Sequence, residues 1–133
     1  IRVPFVVSGY GVKRQNTSEN AMINTTDVYS TIGQIAGIPV NNIYNSQSFI
    51  ELLSNSTASS RAYNFVNFKG DQAEGWAVRS QQYKLIQFNN GEQELYDMNL
   101  DVSETNNLIN SGIETSTVVN QLTEQAELIQ EGL

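Results

Sequence analysis

Residues 63–96 read YNFVNFKGDQAEGWAVRSQQYKLIQFNNGEQELY, and their alternation decides the fold. Tyr63, Phe65, Val66 and Phe68 mark a first strand, Trp76-Ala77-Val78-Arg79-Ser80 a second and Tyr83 to Phe88 a third. Side chains of a strand point to opposite faces in turn, so a period near two with β-branched and aromatic residues predicts half-buried strands. Asn89-Asn90-Gly91 supplies residues that tolerate the left-handed region, as a tight hairpin requires. Gln93 to Tyr96 is then the fourth strand of an antiparallel meander.

Working outward, Asp101-Val102-Ser103-Glu104 predicts a turn leading into a short helical turn. Beyond it, Val118, Val119, Leu122, Ala126 and Ile129 fall on one face of a helix from about Glu114 to Gln130. That stripe needs a surface to cover, and the meander provides one. Upstream, Asn55 to Ser60 is a small polar linker. Ahead of it a short helix is predicted at about Ser46 to Leu53. A longer one is capped by Thr25, Thr26 or Asp27, carries Val28, Ile32, Ile35 and Ala36 at helical spacing, and is stopped by Gly37 and Pro39. Val3 to Ser8, apolar and β-branched, predicts a strand covered on both faces in a parallel sheet. The expected fold class is therefore α/β, or α+β taken as a piece: one strand and helices, then a four-stranded antiparallel sheet packed by a C-terminal helix.

Composition narrows the function. Seven bases and fourteen acids leave a net charge of −7 among 133 residues. All seven bases lie at or before Lys84, and nine acids with no base follow from Glu92. Nucleic acid, which demands a basic face, is disfavoured as a partner. No apolar run reaches the roughly 20 residues of a membrane helix. Cysteine and histidine are both missing, which removes the thiolate nucleophile and the commonest general base and metal ligand. The opening residues lack an initiator Met and a cleavage pattern, so the chain reads as a piece of a longer protein.

What remains could form only a thin site. Asp97, Asp101 and Glu104 are spaced so that two could approach across a turn as calcium ligands, but the spacing matches no EF-hand loop and a solvated acidic turn accounts for them. Lys69, Arg79 and Lys84 form a basic patch or pair across strands with Asp71, Glu74 or Glu94. Trp76 and the tyrosines stack on a sugar or fill a small core. Asn16, Asn24 and Asn55 begin Asn-x-Ser/Thr triplets, which chance explains in a chain so rich in these residues.

Four segments in order carry a resemblance. They are Ile1-Arg2-Val3-Pro4-Phe5-Val6-Val7-Ser8-Gly9, and Asp27-Val28-Tyr29-Ser30-Thr31-Ile32 continuing to Ala36-Gly37-Ile38. Ala77-Val78-Arg79 with Tyr83-Lys84-Leu85-Ile86 follows, and then Glu94-Leu95-Tyr96-Asp97-Met98 with Asp101 to Leu108. Together they resemble the C-terminal portion of the sulfatase family, within the alkaline-phosphatase superfamily. Ser30 and Val102 stand where that pattern usually has Pro, and Asn45-Ser46-Gln47-Ser48-Phe49 where it has Asp-Gly-x-Ser-Leu.

The resemblance implies an arylsulfatase-like parent hydrolase that cleaves sulfate esters of small molecules or glycans, using formylglycine and a divalent cation, usually calcium. Bacterial sulfatases are often exported, so the resemblance is compatible with a periplasmic or secreted parent. No Cys- or Ser-x-Pro-x-Arg motif occurs here, so no catalytic or metal residue is carried over and the chain alone is expected to be inactive. Residues 1–60 would be the end of the large α/β domain, and 61–133 the small C-terminal subdomain. Within the latter, Lys69 to Trp76 is the loop expected at the substrate entrance, with Lys69, Asp71, Trp76 and Arg79 as candidate residues. The expected partners are the upstream part of the same enzyme and, through the Val3–Ser8 strand, a second copy. A phosphomonoesterase or phosphodiesterase of the same superfamily and a non-catalytic binding module are the alternatives.

Overall fold

The computed structural model describes residues 3–41, 43–71 and 73–132. They divide into two compact units, Ile1–Arg61 and Ala62–Leu133.

In the second unit, β1 (Asn64–Lys69), β2 (Glu74–Arg79), β3 (Tyr83–Phe88) and β4 (Gln93–Asp97) form one antiparallel sheet in chain order. The register places Phe65, Val78, Leu85 and Leu95 in one row across all four strands. That row meets Leu122 and Ala126 of α2 (Ser116–Glu131), and the five residues from Val78 to Ala126 make the only fully buried apolar cluster described. Tyr63, Trp76, Tyr83, Val118 and Val119 pack around it. The helix stripe and the strand alternation thus found each other as expected. The β3–β4 hairpin closes through Gly91, at φ +92°, whose N–H donates to the Phe88 carbonyl. A row on the other face runs Phe68, Gly75, Phe88. There the two rings sit edge-to-face, 5.8 Å between centroids, across the glycine.

The first unit is built differently. α1 spans Asp27–Ile35 and ends as predicted, with Gly37 at φ +68°. The Gly37 N–H reaches the Gln34 carbonyl and the Ile38 N–H the Gly33 carbonyl, which satisfies two orphan acceptors. The expected helix at 46–53 is only a 3₁₀ turn, Ile50–Leu53. Two other expectations are corrected. Val3 to Ser8 joins no sheet among the described residues, and Val6 is 88% exposed. A strand with no neighbour gains no ladder hydrogen bonds, so apolar β-branched sequence alone does not make one. The apolar positions read at helical spacing on α1 do not make its buried side: Ile32, Ile35 and Ala36 are exposed and Val28 is half-buried, while Asp27, Ser30 and Thr31 are buried.

Candidate functional site

The four residues expected at a substrate entrance are not gathered at one point. Lys69 and Asp71 lie on the β1–β2 turn, which is closed by the Gly70 N–H on the Ala73 carbonyl. Lys69 stands opposite Glu74, with Nζ 3.3 Å from a carboxylate oxygen, and is 80% exposed. Trp76 turns toward the helix side, 6.2 Å from the Phe65 ring centroid and packed on the core cluster. Arg79, three residues on, projects from the opposite face at the far end of β2. The turn therefore offers one accessible cation beside an acid, and Trp76 serves the core.

Each acid of the 97–104 turn has donors of its own, as a solvated acidic turn would have. Asp97 accepts from the Asn99 and Leu100 N–H groups and from the Gln82 amide. Asp101 accepts from the Asn106 and Thr105 N–H groups and the Thr105 hydroxyl. These donors hold the Asp101 carboxyl below its ordinary range, the Asn106 N–H most strongly. Glu104 adopts φ +56°, a region costing a side-chain-bearing residue about 1 kcal/mol or more. It is held there by an ion pair with Lys84 of β3. Among the described residues no group of three or more acids is placed to hold a metal ion.

Three residues further on, Asn107 completes the sheet edge. Its Oδ1 accepts from the Leu95 and Ile109 N–H groups and its Nδ2 donates to the Gln93 carbonyl. Asn107→Ala would leave the Leu95 donor unsatisfied, and urea unfolding should show a loss of about 1–2 kcal/mol.

Tyr96 carries a pH signature. Its hydroxyl donates to Glu94 at 3.0 Å, and burial, followed by that carboxylate, pushes its pKa up to about 12. The folded state then keeps a proton that the unfolded chain loses near pH 10, so stability falls as pH rises from about 10 to 12. Tyr96→Phe should flatten that fall in pH-dependent urea unfolding.

A buried polar cluster sits in the first unit. Asp27, 2% exposed, accepts from the Asn24 N–H at 2.6 Å, the Gln47 N–H at 2.8 Å and Arg61 Nε at 2.9 Å, and is also paired with Arg61 Nη2. Arg61 Nη2 donates further to the Asn45 carbonyl at 2.8 Å. Ser30 and Ser46 share a buried hydrogen bond of 2.6 Å, and Thr31 Oγ1 accepts from the Phe49 N–H. The whole cluster ties α1 to residues 45–49. Sequence reading missed Arg61, which follows a run that looks like mere linker. A buried position cannot be inferred from a lone Arg after small polar residues.

The model of the family described as N-sulphoglucosamine sulphohydrolase, C-terminal, matches residues 1–132. The chain belongs to this sulfatase C-terminal family. It is 29% identical over 120 residues to arylsulfatase K of Mus musculus, covering 81% of this chain and 22% of that protein. The Rattus norvegicus arylsulfatase K is also 29% identical, with 80% and 21% covered. The chain thus spans about a fifth of the length of these curated relatives. Among solved structures, BT4656, in complex with its substrate D-glucosamine-2-N,6-O-disulfate, is 28% identical. Its TM-score is 0.66, over 79% of this chain and 23% of that one. BT1596, a 2-O GAG sulfatase, is 23% identical with a TM-score of 0.77, over 93% of this chain and 28% of that one, a likeness of fold.

Seen as a sulfatase C-terminal domain, its motif residues acquire structural roles. Asp27 and Thr31 anchor α1, Lys84 meets Glu104, and Asp101 and Asn107 shape the connection from β4 to α2. Ser30 and Ser46, two positions where the sequence departs from the family pattern, bond to each other. Their hydroxyls satisfy one another in a place where either alone would be a buried unpaired group.

Proposed function

We propose that this chain is the C-terminal part of a sulfuric ester hydrolase acting on sulfated sugars, and that it frames the substrate entrance without breaking bonds itself. The match of the sulfatase C-terminal family over residues 1–132 supports the reading. The chain's own residues support the division of labour, since it has no Cys, no His and no Cys- or Ser-x-Pro-x-Arg motif. A formylglycine and a divalent cation, calcium, belong to the proposed full-length enzyme. The residues present here do not fit either group: the precursor motif is missing, and the acids of the 97–104 turn are engaged by N–H donors and Lys84.

Within this reading the Lys69–Asp71 turn meets the sugar, with the exposed Lys69 ammonium facing a sulfate. The sulfated glucosamine that BT4656 binds supports a sulfated amino sugar as the substrate class. The test is release of inorganic sulfate from sulfated glucosamine and from an aryl sulfate by the full-length protein, alongside phosphate release from a phosphate ester. Sulfate release by the full-length protein and none by the 133-residue chain is expected. Phosphate release alone would replace this reading with the phosphatase one. In the full-length enzyme Lys69→Ala should raise KM by at most about fivefold with kcat unchanged, because an exposed charge contact is worth up to about 1 kcal/mol.

A further inference from the structure

We infer that the cleft between α1 and residues 46–48 is a binding site for a neutral sugar unit. It has a volume of about 370 Å³, at the small end of the range for ligand sites. Its floor is the Ser30–Ser46 pair, 8% and 2% exposed, with the two oxygens 2.6 Å apart. A hydroxyl carries one proton and can accept twice. The pair therefore holds two protons and spends only one between its members. Among the described residues neither hydroxyl makes a second hydrogen bond. The other proton is thus a buried donor on the floor of a cleft, and an incoming acceptor would satisfy it. Ser30 and Ser46 stand where the sulfatase pattern has Pro and Gly, neither of which offers a side-chain donor. The feature belongs to this chain and not to the pattern.

The backbone that delivers Ser46 is strained. Tyr44 and Asn45 both adopt φ +53°, in the left-handed region that a side chain enters at a cost, Tyr more reluctantly than Asn. Bonds on every side hold the turn there. The Ser46 N–H closes on the Ile43 carbonyl at 3.0 Å, Arg61 Nη2 donates to the Asn45 carbonyl at 2.8 Å, and Asp27 accepts from the Gln47 N–H at 2.8 Å. Strain that surrounding bonds sustain is found where side chains must be positioned for a ligand. The rim then selects that ligand. Gln34 and Gln47 bring exposed carboxamides, each both donor and acceptor, and Ser48 adds a third hydroxyl. Ile38 and Val40 supply an aliphatic side. No charged residue lines the cleft among the described residues, so a sulfate or phosphate group finds no cation in it. Nor does a nucleobase find an aromatic ring to stack on. A sugar ring matches the lining: its hydroxyls give and take hydrogen bonds, and its C–H face lies against the aliphatic pair.

The probe is methyl glucoside, a neutral sugar with no ester to cleave, titrated into the full-length protein while amide hydrogen exchange is read by peptide mass. Exchange over residues 44–50 should slow as sugar is added, half-maximally at about millimolar concentration, as a few neutral hydrogen bonds allow. Gln34→Ala with Gln47→Ala changes two exposed side chains and should weaken binding about tenfold, the worth of two such bonds. Ser30→Ala with Ser46→Ala removes both buried hydroxyls together and should weaken it at least as much. If that second variant fails to fold, the glutamine variant decides. No slowing at about 100 mM sugar overturns the inference, because an affinity that weak is no site. So does slowing that survives the glutamine variant. Slowing spread equally over β2–β4 is the general effect of an excluded cosolute and overturns it too. Tighter binding of the sulfate ester of the same glucoside, lost in the glutamine variant, overturns the neutral assignment. Binding is read at equilibrium, so its outcome is separate from sulfate release.

Discussion

Arg61→Met is expected to loosen the first unit by about 3–5 kcal/mol, the usual cost of removing one partner from a buried ion pair. The side chain of Arg61 is 4% exposed and that of Asp27 2%, so neither charge has water to fall back on. With the guanidinium gone, the Asp27 carboxylate keeps the Asn24 and Gln47 N–H groups but loses both guanidinium donors. The Asn45 carbonyl loses its Arg61 donor too. Amide hydrogen exchange should show faster exchange over residues 24–49 and unchanged protection in β2–β4. An Asp27→Asn, Arg61→Met double variant should recover part of the loss, because no uncompensated charge is left behind. Unchanged exchange in the single variant would mean that the cluster contributes nothing to holding α1.

Gly75→Ala should be the most damaging single methyl in the second unit. A Cβ at Gly75 would lie 2.1 Å from the Gln87 carbonyl oxygen and 3.0 Å from the Phe88 Cα, both backbone atoms. The only relief is to part β2 from β3 beneath the Phe68–Phe88 ring pair. Overpacking costs typically 1–3 kcal/mol, and a clash with fixed backbone belongs at the top of that range or beyond. Trp76, the only tryptophan and the next residue along, reports directly. Its fluorescence in urea should show a midpoint lowered accordingly, or a non-cooperative transition. Gly132→Ala, whose Cβ meets nothing closer than 3.6 Å, should stay within about 0.5 kcal/mol of the parent. A Gly75→Ala midpoint equal to that control would refute the packing argument.

The contrast between the two units explains what was legible in the sequence. The meander could be read strand by strand because its core is made of local alternation: Phe65, Val78, Leu85 and Leu95 announce their face, and α2 its stripe. The first unit obeys no such rule. Its order comes from Asp27, Ser30, Thr31, Ser46 and Arg61, polar residues that in isolation read as caps, turns and linker. Hydrophobic periodicity cannot find a core made of hydrogen bonds, and on α1 it marked Ile32, Ile35 and Ala36, which are exposed. The same limit applies to the candidate site. The β1–β2 turn was visible from its spacing, but whether Trp76 stacks on a ligand or fills a core depends on which side of the sheet the helix takes. The family motifs were legible as a pattern, whereas their purpose appeared only when Lys84 met Glu104 and Asn107 met the edge of β4.

That last contact sets a boundary on growth. The positions Asn107 occupies, accepting from Leu95 and donating to Gln93, are those a fifth strand would take. A sheet sealed by an amide of its own cannot recruit a stranger along that border, in a folding cell or in a concentrated tube. Growth beyond β4 is therefore checked at this point by one side chain, and Ala at 107 would free the Leu95 N–H and the Gln93 carbonyl that it now engages.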